Sequence, residues 1–160
     1  MSVKNRQQLI AFSKELASVD NLAEGLACIS KNAKLIMASE RCSIFLYNKT
    51  ENELWTTLAD GRDRIHVPSD IGIIGDTLRV KKVLFENDPY DNPNFLADVD
   101  METGFYTKNL ITAPIFDSKG EIIGVLELLN KEGLYNKEDA SLIHFLAHYV
   151  SGFIELHLID

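Results

Sequence analysis

The hydrophobic period of this chain changes twice, and that limits its fold more than any other property. Leu9, Phe12, Leu16 and Val19 recur at helical spacing, which predicts a first helix of roughly four turns. Asn21 and Glu24 have the spacing of a capping box, and Leu26, Ile29, Leu35 and Ile36 carry a second helix to about Ala38. The period then shortens to two. Cys42, Ile44 and Leu46 alternate with Ser43, Phe45 and Tyr47, as a half-buried strand requires. Strands are expected at Leu54–Ala59 and Ile65–Val67, with a turn at Asp60-Gly61 between them. Gly72 opens a short helix to about Val80, and Val83–Glu86 reads as a strand. The turn-rich stretch Asn87–Asn94 leads into a short helix expected from Asn94. Asn109–Phe116 and Glu121–Leu129 are two further strands, joined by the hairpin turn Asp117-Ser-Lys-Gly120. The helical period returns at Asn136, with Asp139 three residues on, and lasts to the end. Helices at both ends of a mostly antiparallel central sheet predict an α+β fold.

The 160 residues make one domain, 1–160, because domains commonly run to about 100–200 residues. With 24 acidic and 16 basic residues the net charge is −8, which argues against nucleic acid and against an anionic membrane surface as partners. Six of the acidic residues (Glu86, Asp88, Asp91, Asp98, Asp100 and Glu102) fall in Val83–Thr107, a stretch without Lys or Arg. Most of the net charge therefore lies there, and it disfavours a polyphosphate ligand by repulsion. Cys28 and Cys42 fit no metal or redox spacing and read as buried thiols in a reducing compartment. The N-terminus has no signal-peptide pattern. The apolar stretch Leu142–Ile159 is interrupted by His144, His148, Glu155 and His157, too polar for a membrane span. A cytoplasmic location is expected.

No nucleophile elbow or phosphate-cradling Walker pattern is present, so a non-catalytic protein is expected. His144 and His148 lie four apart on one helical face, but no third ligand accompanies them and a structural or interface role is preferred to a metal. Asp98 and Asp100 lack the spacing and glycine of a calcium loop. Three features stand out. Gly72-Ile-Ile-Gly75 either makes a tight strand-to-helix turn or presents the free amides of a helix N-terminus to an anion. Glu127 is the lone charge in the strand Ile122–Leu129 and alternates onto a face with Ile123, Val125 and Leu129. On so apolar a face, ligand contact competes with a salt bridge or solvent exposure. Asp100, Thr103 and Thr107 form a polar cluster leading into a strand; cap and strand-former roles suffice for their spacing.

In order, Cys42-Ser-Ile-Phe-Leu46, Ile71-Gly-Ile-Ile-Gly75, Asn92-Pro-Asn-Phe95, Thr103-Gly-Phe-Tyr-Thr-Lys-Asn-Leu-Ile111, Pro114-Ile115, Ile123-Gly-Val125 and Leu129-Asn-Lys131 resemble the motifs of a GAF domain. That family is the small sensory module of phosphodiesterases, cyclases, histidine kinases and photoreceptors. The resemblance covers essentially the whole chain and is strongest to the cyclic-nucleotide-binding branch of phosphodiesterases and adenylyl cyclases. It implies a PAS-like central antiparallel sheet, with N- and C-terminal helices on one face and a ligand pocket with short helices on the other. The branch signature is Asn-Lys, Phe, then Asp-Glu. Here Asn130-Lys131 and Asp139 match, Tyr135 stands for Phe and Ala140 for Glu. The resemblance makes Lys131 and Asp139 a buried ion pair beneath the pocket.

It also implies ligand contacts at Ser43 and Asp60 near the purine edge, and at Asp100, Thr103, Thr107 and Glu127 around base and sugar. The backbone amides of Ile73 and Ile74 would meet the cyclic phosphate. Ala59 and Leu96 replace aromatic residues, and Ile74 replaces a smaller one. A lost stacking ring forfeits about 1 kcal/mol. Bilin attachment and methionine-sulfoxide reduction need pocket cysteines that the resemblance does not supply here, and for haem only His66 lies near the expected pocket. The expectation is a regulatory sensor with no required cofactor and cyclic AMP or cyclic GMP as candidate ligand. The alternative is a ligand-free dimerisation module with a self-filled pocket. Because the last helix is apolar nearly all round, a homodimer through the terminal helices is expected. Its helical pattern stops abruptly at Asp160, which suggests a piece of a longer protein signalling to a C-terminal effector.

Overall fold

The structure, a computed structural model, describes residues 1–57, 64–96 and 106–158. Its helices are α1 (Val3–Ala17), α2 (Leu22–Ile36), α3 (Gly72–Val80) and α4 (Lys137–Leu158). Its strands are β1 (Ser39–Asn48), β2 (Glu53–Thr57), β3 (Arg64–Val67), β4 (Leu84–Glu86), β5 (Leu110–Phe116) and β6 (Ile122–Lys131). The strands form one sheet in the order β3-β2-β1-β6-β5-β4, and every neighbouring pair is antiparallel.

The capping residues set the helix starts. Asn21 Oδ1 accepts from Glu24 N–H at 2.9 Å at the head of α2. At α4 the box is complete: Asn136 Oδ1 accepts from Asp139 N–H, and Asp139 Oδ2 accepts from Asn136 N–H, both at 3.0 Å. Each such cap contributes about 1 kcal/mol.

Strand alternation divides the protein into two sides. Ile44 and Leu46 on β1, Ile111, Ala113 and Ile115 on β5, and Leu126 and Leu128 on β6 face the helical layer. There they meet Phe12 of α1, Ile29 and Ala33 of α2, and Ile143, Leu146, Val150 and Ile154 of α4. Fully burying such a side chain contributes about 1.5–3 kcal/mol, so this layer carries most of the stability. Gly25 lets α2 approach α4 closely: a Cβ there would lie 2.0 Å from Phe153 Cε1.

The short helix expected from Asn94 lies largely outside the described residues; the chain from Asn92 to Phe95 turns, with Phe95 N–H donating to Asn92 O at 3.0 Å. A single 3-10 turn, Pro89–Asp91, precedes it. Two prolines and five Asn or Asp residues among the eight of Asn87–Asn94 favour turns in this stretch. Strand β2 is described only to Thr57, so Leu58, Ala59 and the turn expected at Asp60-Gly61 also lie outside the described residues. Among the described residues no helix is long and apolar enough to cross a membrane.

Candidate functional site

The face of the sheet away from the terminal helices carries the polar residues of the central strands. Register places Glu127 of β6 directly between Ser43 of β1 and Thr112 of β5. Helix α3 packs over this row. Thr77 and Thr112, both fully buried, share a hydrogen bond of 2.7 Å between their hydroxyls, and Thr77 Oγ1 also donates to Ile73 O at 2.8 Å. Satisfied in this way, two buried hydroxyls anchor α3 to the sheet at little desolvation cost.

Beside this anchor is a cavity of about 230 Å³. Phe45, Leu110 and Leu129 form its floor, Val67, Pro68 and Ile71 one wall, and Phe95 and Leu96 another. Gly72, Ile73 and Ile74 bring the start of α3 to it, and Thr107 and Glu127 add the polar side chains. No Lys or Arg is among the described residues that line it.

The start of α3 is built to stay open. Ile71, at the N-cap position, has extended geometry and makes no side-chain cap hydrogen bond. The first i→i−4 bond of the helix runs from Gly75 N–H to Ile71 O at 3.2 Å. The amides of Gly72, Ile73 and Ile74 thus precede the ladder, the condition for anion binding at a helix start. Gly72 has φ +76°, and a Cβ on it would lie 3.0 Å from Leu96 Cδ1, so Leu96 sits directly over this end. In this apolar cavity the carboxylate and hydroxyl can accept hydrogen bonds, and the open amides can donate to an anion.

The structure brings Ile73, Ile74, Thr107 and Glu127 to one cavity. Ser43 shares their face beside Glu127 but does not line it. Asp60, Asp100 and Thr103 lie outside the described residues. Lys131 Nζ reaches Asp139 at 2.9 and 2.7 Å, both side chains mostly buried. Phe45 and Phe95 are pocket residues that spacing alone did not single out. The signal for Phe45 was its place in the alternation, two residues from Ser43 and so on the same face. For Phe95 it was the Asn-Pro-Asn-Phe motif. Thr107 is held from behind, its N–H donating to Tyr90 Oη at 3.3 Å, and Tyr90 stacks on Tyr106 at 5.1 Å and meets Phe95 edge-on at 5.2 Å.

A sequence profile described as GAF domain matches residues 21–154. The chain belongs to the GAF domain family. Among curated relatives, this GAF domain is 30% identical over 125 residues to the dual 3',5'-cyclic-AMP and -GMP phosphodiesterase 11A of Takifugu rubripes. It is 29% identical over 116 residues to the cGMP-specific 3',5'-cyclic phosphodiesterase of Drosophila mojavensis. Those matches take in 68% and 62% of this chain but only 14% and 10% of the relatives' length. Among solved structures, the GAF domain from a Coxiella burnetii phosphoenolpyruvate-protein phosphotransferase superposes with a TM-score of 0.82 at 17% identity, over 94% of this chain and 92% of that one. A free methionine-R-sulfoxide reductase from Neisseria meningitidis, solved with its substrate, gives 0.76 at 19% identity, over 98% and 93%. At such identities these structures establish the GAF fold alone.

Proposed function

We propose that this GAF domain is a regulatory sensor whose pocket binds a cyclic nucleotide, cyclic GMP or cyclic AMP. The observation that carries the reading is the pairing, around one apolar cavity, of the Glu127 carboxylate with the uncapped start of α3. A purine edge supplies the donors that a carboxylate accepts, and a cyclic phosphate supplies the single charge that free amides accept. Asp60, Asp100 and Thr103 complete the proposed polar contacts, and Ser43, outside the cavity lining, joins them from beside Glu127 on the same face. The names of the curated relatives favour the same ligand class.

The role is regulatory rather than catalytic. Cys42 packs against the helical core, on the opposite side of the sheet from the cavity, and Cys28 is buried in α2, so neither thiol is placed for sulfoxide reduction in the pocket. The domain works in the cytoplasm, with no nucleic-acid or membrane partner, and hands its signal to a C-terminal effector through the terminal helices. Phe145, Tyr149 and Leu156 of α4 and Ile10 of α1 remain exposed, which supports a homodimer across this face. Light scattering tests it: a monomeric mass at high concentration overturns the dimer.

The second reading, a dimerisation module with a self-filled pocket, is favoured by the cavity's size. Its volume of about 230 Å³ falls below the roughly 300–1,000 Å³ usual for ligand pockets. Calorimetric titration with cyclic AMP and cyclic GMP separates the two, repeated with Asp60→Ala and Thr107→Ala. Silence from the wild type overturns nucleotide sensing, and binding unaffected by both variants overturns the pocket assignment.

A further inference from the structure

Asn87 lies outside the cavity, yet three sets of contacts meet there. It directly follows β4, and its carboxamide pairs in both senses with the main chain of Tyr135. Tyr135 N–H donates to Asn87 Oδ1 at 2.9 Å, and Asn87 Nδ2 donates to Tyr135 O at 3.1 Å. Tyr135 immediately precedes Asn136, the residue that caps α4. The Tyr135 ring is enclosed in the core, with its hydroxyl 2.6 Å from Ser39 Oγ.

The segment leaving Asn87 is braced from within. The Glu86 carboxylate accepts from Asp88 N–H at 3.2 Å and from Asn92 Nδ2 at 3.1 Å. Asn92 Oδ1 accepts from Asn94 N–H at 2.9 Å, and main-chain bonds run from Asp91 to Asp88, Asn92 to Pro89 and Phe95 to Asn92. Bending the segment would break several of these bonds together. Its far end carries Phe95 and Leu96 to the cavity, and Asn94 Nδ2 donates to Asp76 of α3 at 3.0 Å.

We propose that Asn87 is a positioning residue that fastens this pocket wall to the start of α4, so that displacement of Phe95 or Leu96 is felt at the α4 cap. The inference rests on the sensing role proposed for the pocket. A two-point contact transmits rotation as well as translation, whereas one hydrogen bond would act as a hinge. With its ring held in the core, Tyr135 is the pivot, and motion of its main chain is directed into Asn136. Contiguous hydrogen-bonded networks of this kind carry coupling between sites.

Amide hydrogen exchange by NMR on the full chain tests the link, with cyclic GMP as probe. In the wild type, saturating cyclic GMP slows exchange of the Ala140–Ile143 amides by about fivefold or more, the lower end of ordinary site-to-site coupling. In Asn87→Ala the slowing disappears although cyclic GMP still binds. Tyr135→Phe loses the Ser39 contact but keeps the main-chain pair, and it retains the slowing. Slowing that persists in Asn87→Ala, or wild-type binding without any change at α4, overturns the proposal. If Asn87→Ala does not fold, Asn87→Asp takes its place, because it keeps only the acceptor. Reduced slowing then supports the link and undiminished slowing overturns it. If the wild type does not bind cyclic GMP, cyclic AMP replaces it as probe; failure to bind either overturns the sensing reading instead, and the link is then read without ligand. Phe95→Ala must speed exchange at Ala140–Ile143 in the wild-type background but not with Asn87→Ala, and equal effects in both overturn it.

Discussion

Lys131 and Asp139 close a salt bridge of 2.7 Å across the connection from β6 to α4, and the carboxylate oxygen that takes the ammonium also accepts Asn136 N–H. Asp139 thus neutralises a mostly buried charge and completes a helix cap. Replacing it with Ala leaves Lys131 unpaired, at a cost of about 3–5 kcal/mol, and removes the reciprocal half of the cap, the bond from Asn136 N–H, while Asn136 Oδ1 still caps the helix. Urea unfolding should place Asp139→Ala well below the double variant Lys131→Met/Asp139→Ala, which removes both charges and strands neither. Equal losses in the two would contradict this account.

Glu127 and Leu96 predict opposite effects on cyclic nucleotide binding. Glu127→Gln exchanges a charged acceptor for a neutral one and should weaken binding by about tenfold or more, since hydrogen bonds to charged groups contribute roughly 1.5–3 kcal/mol. Leu96→Ala uncovers Gly72 and the α3 amides and should strengthen it. Calorimetry reads both, and tighter binding by Glu127→Gln would contradict the role given to the carboxylate.

Gly25 predicts an overpacking defect with its own remedy. Gly25→Ala places a methyl group against the Phe153 ring and should destabilise the fold by about 1–3 kcal/mol. Phe153→Leu in the same chain should return part of that loss. Thermal unfolding of the two single variants and the double variant measures the coupling, and strict additivity would show that α2 and α4 do not meet there in solution.

Burial pushes the Tyr135 phenol from its ordinary 10, and the Cys42 thiol from its ordinary 9, up to about 12. The unfolded chain ionises both groups earlier than the folded one. Their contribution is therefore intact below pH 9 and is lost as the pH rises through 9 and 10 toward 12. Unfolding free energy should fall across that window, less steeply above pH 10 for Tyr135→Phe. Native Cys42 should also resist alkylation at neutral pH, because the thiolate is the nucleophile. Rapid labelling of the folded protein would contradict the desolvation of this half-buried thiol.

The architecture was readable because most of it depends on local chemistry. Asn21 and Asn136 announce their helices by spacing, and the alternation through Cys42–Tyr47 assigns each side chain to one face or the other. The pocket was less readable because it is assembled across elements. Ile73, Thr107 and Glu127 come from a helix start, a loop and a strand, and only the sheet register sets them side by side. The Asn87 contact with Tyr135 spans 48 positions and involves a residue whose turn propensity already accounted for it. Nothing local marks such a pair. The helix expected from Asn94 lies largely outside the described residues, and just before it the Asn92 side chain accepts from Asn94 N–H, a local turn bond.

The opposed faces of β6 have a consequence for how a domain of this kind diversifies. Leu126 and Leu128 serve the helical layer, while Glu127 and Leu129 face the cavity. Every second codon of this segment can thus change the lining of the cavity, while the codons between answer to folding. New specificities can arise by single substitutions that leave the scaffold intact. A one-residue deletion, by contrast, would exchange the two roles along the rest of the strand and forfeit both at once.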